Sequence, residues 1–160
     1  MNAIVVFYSR SGNTKKVAEA IAKALGCDIE ELVDTQKRSG PGGWIQSGKQ
    51  AMKEEFTTLQ PLKKDISKYD LVIVGGPVWA GKMSVPVRAL IAQNKDKLKD
   101  VAFFFTSGGK DNGPKIFPAM EQVCGKKPRA TLGLTTKEVK KDQHNEKVLA
   151  FAKALAPSNP

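Results

Sequence analysis

The side chains best suited to chemistry lie together in Ser9-Arg10-Ser11-Gly12-Asn13-Thr14. Hydroxyls, an amide, a glycine and a guanidinium in so short a run are groups that hold an anion. A dianionic phosphate fits hydroxyls and backbone N–H groups, and glycine, having no Cβ, lets the backbone bend sharply and come close to it. The run lacks the G-x-x-x-x-G-K-[ST] pattern of a nucleoside-triphosphate loop and the G-x-G-x-x-G dinucleotide pattern. It also lacks the thiolate that a cysteine-dependent phosphatase places at a strand end. Ser9 stands there instead, with no histidine nearby to activate it. The expected chemistry is therefore binding, through Ser9, Ser11, Thr14 and the N–H groups of the loop. The competing reading is an ordinary strand-to-helix turn capped by a hydroxyl.

Such a loop works only if its neighbours position it. Ile4-Val5-Val6-Phe7-Tyr8 precedes it as an apolar run, and Val17, Ile21 and Leu25 follow at helical spacing. Strand, loop and helix place the first unpaired N–H groups of the helix, and the positive end of its dipole, at the loop. The same alternation continues along the chain. Cys27 to Val33 reads as a second strand, Asp34 to Gly43 as a loop, and Trp44 to Glu54 as a helix with Trp44, Ile45, Gly48, Ala51 and Met52 inward. Phe56 to Lys68 reads as a surface connection. Leu71 to Val74 is a buried strand, and after it Ser84 caps a helix that has Pro86 in its first turn and Val87, Leu90 and Ile91 on its apolar face. Val101 to Phe105 is the fourth strand, and Pro114 starts a helix carrying Ile116, Phe117, Met120 and Val123. Ala130 to Thr136 is the fifth strand, and Gln143 to Leu155 the last helix, with Val148, Ala152 and Leu155 on one face. Five strands alternating with helices predict an α/β domain, a parallel sheet covered on both faces. We expect one domain over residues 1–156 and a frayed tail over 157–160.

Two further loops follow strands three and four, so all three open on the carboxyl edge of the sheet, where ligands of such folds bind. Pro77-Val78-Trp79-Ala80-Gly81-Lys82 supplies an aromatic ring between small residues, and Thr106-Ser107-Gly108-Gly109 supplies hydroxyls and backbone groups. A ligand with a phosphate at one end and a flat ring at the other satisfies all three, and FMN has that form. Trp79 is read as touching such a ring, or else as filling the core. The sequence resembles the flavodoxin family in its short form. The first loop matches the family's phosphate loop, with glycine before Asn-Thr; Gly76-Pro77-Val78-Trp79-Ala80-Gly81 and Thr106-Ser107-Gly108-Gly109 resemble the two ring loops. The resemblance implies a doubly wound sheet of order 2-1-3-4-5, noncovalent FMN, and electron transfer in which the flavin does the chemistry and the protein sets its potentials. It further implies a peptide beside flavin N5 that turns to hydrogen-bond the half-reduced ring, a turn that Gly81 would permit.

Typical electron-shuttling flavodoxins are acidic; this chain has 26 basic and 16 acidic residues, a net +10. Bound phosphate would remove only about two charges. Arg10, Lys15, Lys82, Arg88 and Lys110 are expected near the binding edge, where they would draw an acidic redox partner, and Lys82 or Lys110 would favour a reduced, anionic flavin. The lysines are scattered rather than packed in one tract, which disfavours nucleic acid. Cys27 and Cys124 show neither C-x-x-C nor zinc spacing and read as small core residues, and His144 as a helix-surface residue. No apolar run approaches about 18 residues, and strand residues start at Ala3 or Ile4, so we expect no membrane insertion, no signal peptide and a cytoplasmic protein. A homo-oligomer stays open. The leading function is a small electron carrier without its own substrate. Its rival is an NAD(P)H-dependent quinone or nitro reductase of the same fold. A receiver domain is set aside, because Gly75-Gly76-Pro77 and Ser9-Arg10-Ser11 stand where it needs acidic residues.

Overall fold

Every side chain of Ala3–Phe7 is buried. A strand buried on both faces belongs in the middle of a sheet that is covered on both sides. In the computed structural model, which describes residues 1–109 and 112–157, that strand, β1, pairs in parallel with β2 (Asp28–Glu31) on one side and β3 (Leu71–Trp79) on the other. Beyond β3 come β5 (Asp100–Ser107) and β6 (Thr131–Thr135), also parallel. The spatial order is β2-β1-β3-β5-β6, and a two-residue strand, β4 (Lys82–Met83), pairs antiparallel with the end of β3. The five parallel strands thus stand in the expected doubly wound order. The hairpin strand β4 is additional.

Alternation along the strands sorts the side chains to two faces. Val5, Phe7, Ile73, Phe104 and Leu134 pack with α1 (Asn13–Leu25), α5 (Thr136–Lys140) and α6 (Asn145–Leu155). Ile4, Val6, Val74, Phe103 and Phe105 pack with α3 (Val85–Asn94) and α4 (Gly113–Cys124), and with Ala51 of α2 (Gly40–Met52). Phe103 and Phe104 are both 0% exposed and face opposite layers. A phenylalanine fully buried in this way contributes about 1.5–3 kcal/mol, so the centre of the sheet carries the stability and the edge loops are left to bind. No helix among the described residues is long and apolar enough to cross a membrane.

Several expectations need correction. β2 is shorter than Cys27 to Val33. The helix placed at Trp44 to Glu54 begins at Gly40, with proline in its first turn. It buries Ser47 and Ala51, while Trp44, Ile45 and Met52 are 58%, 62% and 64% exposed. Gly75-Gly76-Pro77 does not end β3. The strand continues to Trp79, pairing with β5 through Pro77 and with β4 beyond it, and the bare Gly76 lets Val87 and Ser84 of the following helix start pack against it; a Cβ there would lie 2.4 Å from Val87 Cγ2. Val101 to Phe105 likewise extends to Ser107. The strand expected to run to Thr136 ends at Thr135, and Thr136–Lys140 forms a short helix. His144, expected at the surface, is 3% exposed and precedes α6, with Nδ1 lacking a hydrogen-bond partner. Cys124 is buried and Cys27 half-buried; burial pushes the Cys27 thiol up to about 11. Lys110, Asp111 and Ser158 to Pro160, the ends of the expected third loop and tail, lie outside the described residues.

Candidate functional site

The carboxyl ends of β1, β3 and β5 meet the start of α1 at one edge of the sheet. The turn from β1 into α1 is held from within. Ser9 Oγ accepts the N–H of Gly12 and of Lys15, each at 3.2 Å, and Asn13 Nδ2 donates to Ser11 Oγ at 3.3 Å. Gly12 is the N-cap of α1 with φ 91°, left-handed backbone that L side chains rarely adopt. No side chain caps that residue position directly, so the hydroxyl-capped turn is only partly realised, through Ser9 and Lys15. Asn13 and Thr14 are the first helical residues, and their N–H groups have no intrahelical acceptor. Thr14 is buried and its hydroxyl is hydrogen-bonded to that of Thr106 at 2.7 Å. That bond ties the helix start to β5; Thr14 positions the loop and its hydroxyl is already engaged.

A cleft of about 390 Å³ opens beside this turn, within the size range of small-ligand sites. Of the residues singled out from the sequence, Arg10, Ser11, Asn13, Pro77, Val78, Trp79, Thr106, Ser107 and Gly108 line it. Ser9, Gly12 and Thr14 build the turn behind it. Ala80, Gly81, Lys82 and Gly109 do not line it. Ala80 (φ 50°) and Gly81 (φ 73°) form the two-residue turn of the β3–β4 hairpin, whose positive φ values match a hairpin turn. Lys82 Nζ is paired with Glu54 at 3.3 Å, and Arg88, expected as a surface cation, is only 7% exposed and lies 3.8 Å from the same carboxylate.

The cleft gains residues that sequence reasoning missed. Trp44 of α2, and Thr136 and Lys140 of α5, also line it. The Arg10 guanidinium lies over Trp44, with Cζ 3.5 Å from the ring centroid, and 4.6 Å from the centroid of Trp79. Trp79 is 4% exposed and packs edge-on against Tyr8 at 5.6 Å. Arg38 reaches the same indole at 5.1 Å while pairing through Nε with Asp34 and donating to Ser47 Oγ (3.1 Å) and Gln50 Oε1 (2.9 Å). Contact therefore runs from Arg38 to Trp79, Arg10 and Trp44, alternating cation and ring. Each such contact contributes about 0.5–2 kcal/mol, more where it is drier. Burial lowers the pKa of Arg10 and raises that of the Tyr8 phenol, the latter opposed by Arg38. The signal in the sequence for Trp44 was its aromatic type beside a Gly-rich turn; read with helical spacing it pointed inward instead.

This arrangement offers N–H groups for an anion at one place and two indoles and backbone groups for a flat ring at another. No family model matches the sequence, and no curated protein matches it. Solved structures do. A flavoprotein from Lactobacillus acidophilus, crystallised in complex with FMN, is 26% identical with a TM-score of 0.70, over 88% of this chain and 97% of its own. The flavodoxin of Megasphaera elsdenii is 16% identical with a TM-score of 0.61, over 96% of this chain and 99% of its own. A WrbA-like flavodoxin from Agrobacterium tumefaciens, also 16% identical at a TM-score of 0.61, covers 96% of this chain and 94% of its own. The last two likenesses concern the fold alone. In strand order and in the helix layers on both faces of its sheet, the chain has a flavodoxin-like fold.

Proposed function

We propose that the chain binds FMN noncovalently at this edge and serves in the cytoplasm as a small electron carrier for an acidic redox protein. The observation that carries the reading is the cleft itself. One wall is the turn where Asn13 and Thr14 begin α1, their N–H groups without intrahelical acceptors, and another is Trp44 and Trp79 with Thr106 to Gly108. The donor set fits the group: N–H groups and the Ser11 hydroxyl would hold the phosphate, while indoles, Pro77 and the backbone around Ser107 would hold the ring. The FMN found in the Lactobacillus flavoprotein supports the same reading. When bound, the flavin supplies one- or two-electron chemistry. The protein's part is to bind and orient it, to exclude water, and to set how much negative charge the ring tolerates.

Arg10 and Lys140 line the cleft, and the chain carries a net +10. Positive charge beside a redox centre speeds encounter with an acidic protein more than it raises affinity. Titration of the purified protein with FMN, followed by flavin fluorescence and stepwise reduction, tests the reading. Stoichiometric quenching and one-electron reduction steps are expected. Absence of FMN binding would overturn it. Rapid turnover with NAD(P)H and a quinone would replace the carrier by a reductase.

A further inference from the structure

Arg10 belongs by sequence to the turn that would hold a phosphate, yet its guanidinium lies on the indoles of Trp44 and Trp79, at 3.5 and 4.6 Å. Its Nη1 is buried with no hydrogen-bond acceptor. The other cations of this stretch are engaged: Lys15 with Glu31 at 3.4 Å and Lys16 with Asp142 at 2.5 Å. Among the described residues no carboxylate pairs with Arg10. The loop therefore contains one cation that lacks an anion, resting on the aromatic surface that lines the cleft.

A guanidinium and a fused aromatic ring are both flat, and both stack on indole. They compete for the same faces. A half-buried guanidinium whose Nη1 is dry and unpartnered is also costly to leave unpaired, and its fork of N–H donors matches phosphate in two-bond geometry. We propose that Arg10 is a specificity-determining residue that makes entry of the ring conditional on the phosphate: the ring displaces the guanidinium from Trp44 and Trp79, and the released cation pairs with the phosphate at its own loop. A flavin without phosphate must displace the same cation and gives it no partner. The site thereby selects the phosphorylated flavin. The inference rests on the FMN reading above.

The test compares FMN and riboflavin binding, by flavin fluorescence quenching, to the wild-type protein and to Arg10→Met, which keeps an unbranched apolar stem and removes the charge. Thermal unfolding of the free proteins checks that the variant folds. The wild type should prefer FMN. Arg10→Met should bind FMN more weakly and riboflavin more tightly, so that the preference falls at least tenfold, and added salt should weaken FMN binding less than in the wild type. Arg10→Lys, which keeps charge without the planar fork, should restore part of the preference. Equal shifts for both ligands would mean that Arg10 only packs the cleft, and the proposal would fail while the FMN reading stood. A wild type that binds neither flavin would remove the FMN reading itself, and the proposal with it.

Discussion

Arg38 shows how a single charge can organise the wall behind a cleft. Its side chain and that of Asp34 are each 3% exposed, and they form an ion pair. Asp34 Oδ1 also accepts from Thr57 Oγ1 at 2.6 Å and from the Gln36 N–H at 3.0 Å. Arg38 continues to Ser47 and Gln50 of α2, so the connection after β2, the helix and Trp79 are joined through one guanidinium. Removing one partner of such a pair strands the other charge in a dry site, which costs about 3–5 kcal/mol, whereas replacing both by apolar groups is often near neutral. Arg38→Met should therefore lower stability in urea by about 3 kcal/mol or somewhat more, the remaining hydrogen bonds of Asp34 keeping the loss at the low end. Arg38→Met with Asp34→Leu should recover most of that loss. A double variant as unstable as the single one would show that the hydrogen bonds to α2, rather than the stranded carboxylate, dominate. Nothing in the sequence marks Arg38 for burial. It sits in a charged, Gly/Pro-rich stretch, arginine is mostly exposed, and the partners that justify burial come from Asp34, Thr57 and α2, which only tertiary structure brings together.

At the scale of elements, small local devices decide where helices begin. Thr135 and Glu138 form a reciprocal capping box at α5: Thr135 Oγ1 accepts the Glu138 N–H at 3.2 Å, and Glu138 Oε2 accepts the Thr135 N–H at 2.8 Å. Glu138 also accepts from Lys147 Nζ of α6 at 2.6 Å. Hydrogen bonding from Lys147 first, then from the Thr135 backbone, holds its carboxyl below the ordinary 4.5. A carboxyl with a depressed folded value stabilises above its unfolded value and loses that stabilisation as pH falls through the folded one. Glu138→Gln should thus cost about 0.5–1 kcal/mol near neutral pH. The deficit should shrink below about pH 4.5; urea unfolding at pH 7 and pH 3 measures it, and a deficit that does not change with pH would put the device in packing instead of charge. The box is written in the sequence as T-x-x-E, but ATLGLTT overran it as strand. The facing of α2 failed for a related reason: Trp44, Ile45 and Met52 carry the apolar signal, but the face that fits under the Arg38 network is the narrow one of Ser47 and Ala51. The central strands were legible because Ile4 to Phe7, Leu71 to Val74 and Val101 to Phe105 are unbroken apolar runs. The extension of β3 was not, because Gly75-Gly76-Pro77 looks like a stop and acts as a close-packing surface.

For the whole molecule, the parallel sheet covered on both faces and the edge on which the loops converge followed from alternation of strands and helices, and the strand order from the family resemblance. The placement of charge did not, since a lysine's pairing depends on neighbours far away in sequence. Lys15, Lys16, Lys64, Lys82 and Lys147 all have carboxylate partners. Exposed pairs of this kind contribute only about 0–1 kcal/mol each and leave the net +10 of the chain unchanged. The far field is therefore positive even though many individual lysines are bridged, and the proposed acidic partner would meet it before any contact forms. The Debye length falls from about 30 Å at 0.01 M salt to about 8 Å at 0.15 M, so the encounter rate of the FMN-loaded protein with an acidic redox protein should drop by about tenfold or more over that range. Lys82→Glu, on the hairpin outside the cleft, should lower the low-salt rate and flatten its salt dependence, with the rate against an uncharged reductant reporting any change within the cleft itself. If the rate with the acidic protein were insensitive to salt, or if the charge reversal left its slope unchanged, the basic surface would have no part in recruiting the partner, and apolar contact beside the cleft, where Trp44 and Ile45 are exposed, would have to carry the docking.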